Sequence, residues 1–249
     1  MKSEKFLYIL LNSEIIPYWQ LKIFNSFKDI IEMRIFIVKG APPHTKKSLF
    51  LNLFQKLDNK IFKKKINSFE KITLTSTTFS DCIVKIDYEK FIKNIPKALG
   101  SKSKIFLLNL TNIKLNPKFA LLFEYGIWQF NIGTTINNIR NSNGIYEVIN
   151  KIYSTESSLT VITGKEKKEM IISQNVSSTD PNSITRGINK VYLKASSYPM
   201  QIIKKLEMGY KFEDIFICYF KKEDSTITLK SSQIIYKILN HYLNYLMSR

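Results

Sequence analysis

Residues 6–11 read Phe-Leu-Tyr-Ile-Leu-Leu, apolar without a break. A strand with one wet face alternates apolar and polar side chains. An unbroken run of this length therefore marks a strand covered on both faces. Such a strand needs a sheet with a layer packed on each side, which few architectures supply. Met33–Val38 and Lys104–Leu110 carry further runs, and Asp81–Ile86 and Gly126–Phe130 are shorter ones. Helical spacing separates them. Pro17 opens a helix that puts Trp19, Ile23, Phe24 and Phe27 on one face. Leu49, Leu53, Phe54, Leu57 and Ile61 repeat at the same period, and residues 117–123 read as a short helix. Residues 40–45, with Pro42, Pro43 and His44, form a loop. Strands alternating with helices predict an α/β fold with a mostly parallel twisted sheet and flanking helices. Ligands of such sheets bind at the carboxyl ends of the strands. Asn109 and the Gln129-Phe130-Asn131 segment fall there.

The rhythm changes after residue 130. Tyr146–Tyr153, Leu159–Thr163 and Glu169–Gln174 are short β-like runs between polar turns, a small antiparallel addition. Ser183 caps a long helix that runs to about Leu206 and stops at Gly209. Ser231 caps a last helix bearing Ile234, Ile238, Leu239, Tyr242 and Leu246. The expected division is a domain over residues 1–208 and a C-terminal helical extension, 209–249, packed on it.

Composition narrows the functional classes. With 44% hydrophobic residues and 17 Phe among 249, the chain can bury a sizeable core. No apolar run approaches the roughly 18 residues of a membrane-spanning helix. The run at the amino end is shorter than most signal-peptide cores and is read as a strand. Cys82 and Cys218 are far apart in apolar surroundings, which points to buried free thiols and a reducing, cytoplasmic setting. The net charge of +18 is carried mainly by lysine. Arginine is the usual reader of nucleic acid, so a solvated lysine surface is expected and a nucleic-acid partner is not. The one dense cluster, Lys60 and Lys63–Lys65, is the candidate polyanion site. Two histidines and two distant cysteines supply no metal centre.

The segment Gly126-Ile127-Trp128-Gln129-Phe130-Asn131, continuing to Arg140 and to Gly144-Ile145-Tyr146-Glu147-Val148, resembles a formyltransferase-type domain. That domain stands at the N-terminus of proteins similar to the plant glucosamine inositolphosphorylceramide transferase. There the pattern reads Gly-Ile-Trp-Ser-Phe-His-His-Gly-Asp, then Arg-Gly-Gly-Pro and Gly-Phe-Trp-Glu-Val. This chain keeps the frame but has Asn131 at the first histidine and Thr134 at the aspartate. Leu10-Leu11-Asn12-Ser13 with Pro17 and Trp19, Leu53–Asp58, and Thr179–Lys205 extend the resemblance over residues 5–208.

The resemblance implies transfer of a formyl group from 10-formyltetrahydrofolate to an amine on a sugar or nucleotide-linked acceptor. That chemistry needs donors for a developing oxyanion and a group that takes the amine proton. The family's reactive pair falls on Gln129 and Asn131, the candidate catalytic residues. Gln129 keeps an amide able to donate. Asn131 hydrogen-bonds but does not titrate near neutral pH. The family's later aspartate falls near Lys165–Lys168, where Glu166 is the only acid. Asn109, Arg140 and Glu147 are the candidate substrate-binding residues. Arg140 suits a carboxylate or phosphate, although an arginine in an Asn-rich loop is as readily a surface charge. Glu147 suits a bridge to loop amides, Asn109 an Asx turn at the end of its strand, and Trp128 the core. His44 and His241 read as a solvated loop residue and a helix-surface residue. Two other classes stay open, a catalytically silent ligand- or protein-binding module and a basic polyanion binder.

Overall fold

The structure, a computed structural model, describes residues 5–40, 58, 67–93, 103–111, 113, 115–133, 147, 152–164, 169–180, 183–219 and 240. Its centre is β1 (Lys5–Leu11), which pairs in parallel with β3 (Glu32–Lys39) on one side and β6 (Ser103–Asn109) on the other. Beyond β3 lies β5 (Ile83–Asp87), and beyond β6 lies β7 (Ile127–Ile132), both parallel. Three antiparallel strands complete the sheet: β8 (Ser154–Ile162), β9 (Glu169–Ser178) and β10 (Cys218–Tyr219). The eight strands run β10-β9-β8-β7-β6-β1-β3-β5. A separate antiparallel pair joins β2 (Ile15–Pro17) to β4 (Lys71–Thr73).

The unbroken apolar run has the expected cause. Leu7, Ile9 and Leu11 point to one face of β1, where they pack with Ile23, Phe24 and Phe27 of α1 (Tyr18–Phe27). The same core takes Ile188, Val191 and Tyr192 of α3 (Ile184–Ala195) and Ile202 and Ile203 of α4 (Tyr198–Glu207). Phe6, Tyr8 and Leu10 point the other way, to Phe91 of α2 (Tyr88–Lys93) and to Ile113, Leu115, Ala120 and Phe123. Past residue 208, Phe212 and Ile215 enter the first of these cores, and β10 extends the sheet.

Several expectations are corrected. The helix predicted from Ser183 to Leu206 is two helices. Ser183 caps α3, its side chain accepting from the Arg186 amide. The chain breaks at Ser196-Ser197, whose hydroxyls donate to the Leu193 and Lys194 carbonyls. Pro199 sits in the first turn of α4, where its missing N–H costs nothing, whereas it would interrupt a continuous helix. Asp81 belongs to a 3-10 turn, Ser80–Cys82, rather than to the strand. Residues 117–122 form a 3-10 helix. Within the β-like run 146–153, Glu147 is helical, its carbonyl accepting from the Ile152 amide at 2.8 Å. Both cysteines are free, but neither is buried. Cys82 is half-buried, and Cys218, on β10, is exposed. Burial with Asp81 and Glu32 nearby pushes the Cys82 thiol up.

The loop residues 41–45, the lysine cluster and, apart from Asn240, which is helical and exposed, the helix from Ser231 lie outside the described residues. So does the helix over 49–61 apart from Asp58, which is helical and buried. Its carboxylate accepts from the Ser183 hydroxyl at 3.0 Å and the Thr185 amide at 2.8 Å, joining the start of α3.

Buried phenols give the fold an alkaline limit. Burial raises Tyr192, and it raises Tyr125 to about 12 with help from Glu124. Tyr8 and Tyr198 are also raised by burial. A folded-state value above the unfolded one means that the stabilisation is whole below the ordinary value of 10 and is lost as pH rises through the folded value. Chemical denaturation at stepped pH is expected to show stability falling from about pH 10 upward. Tyr192→Phe is expected to make that fall shallower; an unchanged slope would count against Tyr192 as a contributor.

Candidate functional site

The site is assembled by register. Asn109 at the end of β6 lies beside Gln129 of β7. Across β7, Gln129 faces Thr160 and Asn131 faces Ser158 on antiparallel β8. Directly paired residues share a face, so Gln129, Asn131, Ser158 and Thr160 line one side of the sheet, the side of Leu107 and Ile127. Trp128 and Ile132 point to the opposite core. The result is a cluster of uncharged polar groups at the carboxyl ends of β6 and β7, with Glu156 next along the same side of β8.

Asn109 is 3% exposed, and its amide is engaged locally. Nδ2 donates to the Ile113 carbonyl at 2.9 Å, while Oδ1 accepts from the Thr111 amide at 3.1 Å and the Thr111 hydroxyl at 2.6 Å. This is the Asx geometry its position suggests, and it shapes the loop that leaves β6. Gln129 and Asn131 are half-buried. Asn131 Nδ2 donates to Thr160 Oγ1 at 2.9 Å, and Thr160 Oγ1 donates to the Gln129 carbonyl at 3.3 Å. Ser158 and Thr160 are almost fully buried, and the Ser158 hydroxyl has no partner among the described residues.

Glu147 is fully buried. Arg140, Thr134, Glu166 and both histidines lie outside the described residues. Among the described residues no group of metal-ligating side chains forms. Trp128 belongs to the core: its ring stacks on Phe106 at 3.8 Å and its Nε1 donates to the Tyr125 carbonyl at 2.7 Å. Ser158 and Thr160 were not among the candidates. Thr160 sits in the run 159–163, which reads simply as a strand, Ser158 lies just before it, and only the pairing of β8 with β7 brings them to Asn131.

A groove of about 740 Å³ lies elsewhere, lined by Phe6, Glu32, Arg34, Phe79, Cys82 and Val84. It opens at the amino ends of β1, β3 and β5, the edge of a parallel sheet opposite to where ligands bind. None of the candidate residues lines it.

The architecture has known counterparts. The sugar 3N-formyl transferase WlaRD, solved in the presence of dTDP and 5-N-formyl-THF, superposes with a TM-score of 0.50 at 13% identity, over 97% of this chain and 81% of its own. A 4-N formyltransferase from Francisella tularensis gives 0.51 at 10% identity, over 96% and 88%. Phosphoribosylglycinamide formyltransferase from Brucella melitensis gives 0.50 at 11%, over 80% and 94%. The chain has the formyltransferase fold. No protein-family model matches its sequence, and no curated protein matches it significantly. The formyltransferase fold is thus reached at an identity that fixes architecture and leaves the chemistry to the residues themselves.

Gly126 shows how the fold holds this segment. Its φ is +69°, left-handed, and a Cβ there would run into the Ile162 carbonyl of β8. Both demands admit only glycine at the entry to β7. Gly126→Ala is expected to cost about 2 kcal/mol or more. Urea denaturation checks this, and an unchanged midpoint would contradict the close approach of β8.

Proposed function

We propose that the chain is a formyltransferase-like protein. It holds a reduced-folate one-carbon donor beside an amine on a sugar or nucleotide-linked acceptor, at the carboxyl ends of β6 and β7. The observation that carries this reading is the pair Gln129 and Asn131, half-buried amides on one face of β7 beside Thr160 and Ser158. Uncharged donors and acceptors of this kind suit the formyl oxygen and the amide-like edge of a reduced folate. The WlaRD structure, which contains dTDP and 5-N-formyl-THF, supports the choice of ligand classes. In the transfer, the amine nitrogen bonds to the formyl carbon, the bond from that carbon to the folate nitrogen breaks, and one amine proton ends on that nitrogen. Gln129 would hydrogen-bond the formyl oxygen as charge develops there. Asn109 would act through the loop it shapes, and Arg140 and Glu147 are the proposed acceptor contacts.

A second reading is favoured by one observation. Asn131 falls where the resemblance puts the family's first histidine, and an amide donating to Thr160 takes up no proton near neutral pH. Positioned acid–base groups are typically worth about 10²–10⁴-fold. Without one at residue 131, the protein would bind its ligands and transfer slowly or not at all.

Calorimetric titration with 5-N-formyl-THF tests the site. Saturable binding, weakened about threefold to tenfold by Gln129→Ala, is expected. No binding by the unaltered protein would sink both readings. Single-turnover transfer from 10-formyltetrahydrofolate to a dTDP-linked amino sugar then separates them, since only the first expects a formylated product.

A further inference from the structure

The Asn131 amide has a defined orientation, and Thr160 sets it. Thr160 Oγ1 lies 2.9 Å from Asn131 Nδ2 and 3.3 Å from the backbone carbonyl oxygen of Gln129. A hydroxyl has one proton to give, and a carbonyl can only accept. The proton therefore goes to the Gln129 carbonyl, and a hydroxyl lone pair receives the amide N–H. The nitrogen end of Asn131 is turned to β8 and the oxygen end, Oδ1, is left over. Nothing among the described residues donates to that oxygen. Thr160 is 0% exposed, so water does not compete for either bond. Ser158, directly across from Asn131, adds a buried hydroxyl that also has no partner among the described residues.

An exposed carbonyl oxygen accepts N–H or O–H and repels another oxygen acceptor. Position 131 is thus matched to a ligand amine rather than to an oxyanion or formyl oxygen, which leaves Gln129 as the amide for the formyl side. We propose that Thr160 is a positioning residue that fixes Asn131 as a hydrogen-bond acceptor and so gives the site a preference for amine-bearing acceptors. This rests on the function proposed above and adds a division of labour between the two amides. It also assigns a role to a residue that touches no ligand.

The experiment compares the unaltered protein with Thr160→Val, Thr160→Ser and Asn131→Leu. Each is titrated with 5-N-formyl-THF, with dTDP and with a dTDP-linked amino sugar. Valine keeps the shape of threonine and removes the hydroxyl, whereas serine keeps the hydroxyl. The unaltered protein is expected to bind the amino sugar about threefold to tenfold more tightly than dTDP, the worth of one net hydrogen bond. Thr160→Val is expected to lose that preference while dTDP affinity stays, and Thr160→Ser to retain it. Asn131→Leu, at a half-buried position, should lose it as well and decides the matter if Thr160→Val does not fold. Preference retained without the hydroxyl, or without the Asn131 amide, overturns the proposal. Folate binding with no preference for the amine overturns it alone and leaves the site standing. Binding of none of the three probes removes the proposed function and this inference together.

Discussion

Burial of β1 on both faces is the constraint from which the rest follows. Leu7, Ile9 and Leu11 need one apolar layer, and Phe6, Tyr8 and Leu10 need another. Neighbouring strands joined by crossovers on each side supply those layers, which makes β1, β3, β5, β6 and β7 parallel. Parallel strands all end at one edge, so Asn109 and Gln129 arrive side by side without any contact selecting them. The groove at the other edge gathers charged and apolar residues of several strands, but no convergent uncharged set like that at 109, 129 and 131.

The site then depends on a change of direction. β8 runs antiparallel to β7, so its residues pair one to one with those of β7. Gly126 permits the approach, because any side chain there would meet the Ile162 carbonyl. The strand that closes over the polar face carries Ser158 and Thr160 on it and Leu159 and Val161 in the opposite core. Over residues 158–161 one pattern of alternation thus serves two ends, anchoring the strand by Leu159 and Val161 and furnishing hydroxyls with Ser158 and Thr160. The hydroxyls add donors and acceptors without adding charge.

What could be read from the sequence followed from strong local signals. Unbroken apolar runs gave β1, β3 and β6, Pro17 gave the start of α1, and Ser183 gave the cap of α3. The Asx geometry of Asn109 follows from an asparagine at a strand end. The break between α3 and α4 was missed because the apolar spacing continues through Ser196-Ser197, and a proline two residues further on was the only warning. Cys218 is read as buried from its apolar neighbours, yet it is exposed on β10. Asp58 enters the sequence reading only within the Leu53–Asp58 resemblance, yet it closes the first turn of α3 from a segment more than a hundred residues away. Thr160 was out of reach for the same reason. Its importance is a matter of register between strands, and no spacing along the chain encodes register across it.

Set against the histidine of the family it resembles, the amide at residue 131 calls for different neighbours. An imidazole that must gain and lose a proton is commonly held by a carboxylate, which favours its charged form. An amide has no charged form to favour. Beside Asn131 a carboxylate would only be a desolvated charge, whereas hydroxyls can orient the amide and be satisfied in return. Thr160 and Ser158 are such neighbours, and Glu156 lies two residues from Ser158 on the same side of β8. The two hydroxyls beside residue 131 are therefore consistent with the amide that occupies it. A lone Asn131→His substitution would place an imidazole opposite Ser158, with Thr160 and Glu156 diagonally across from it on β8.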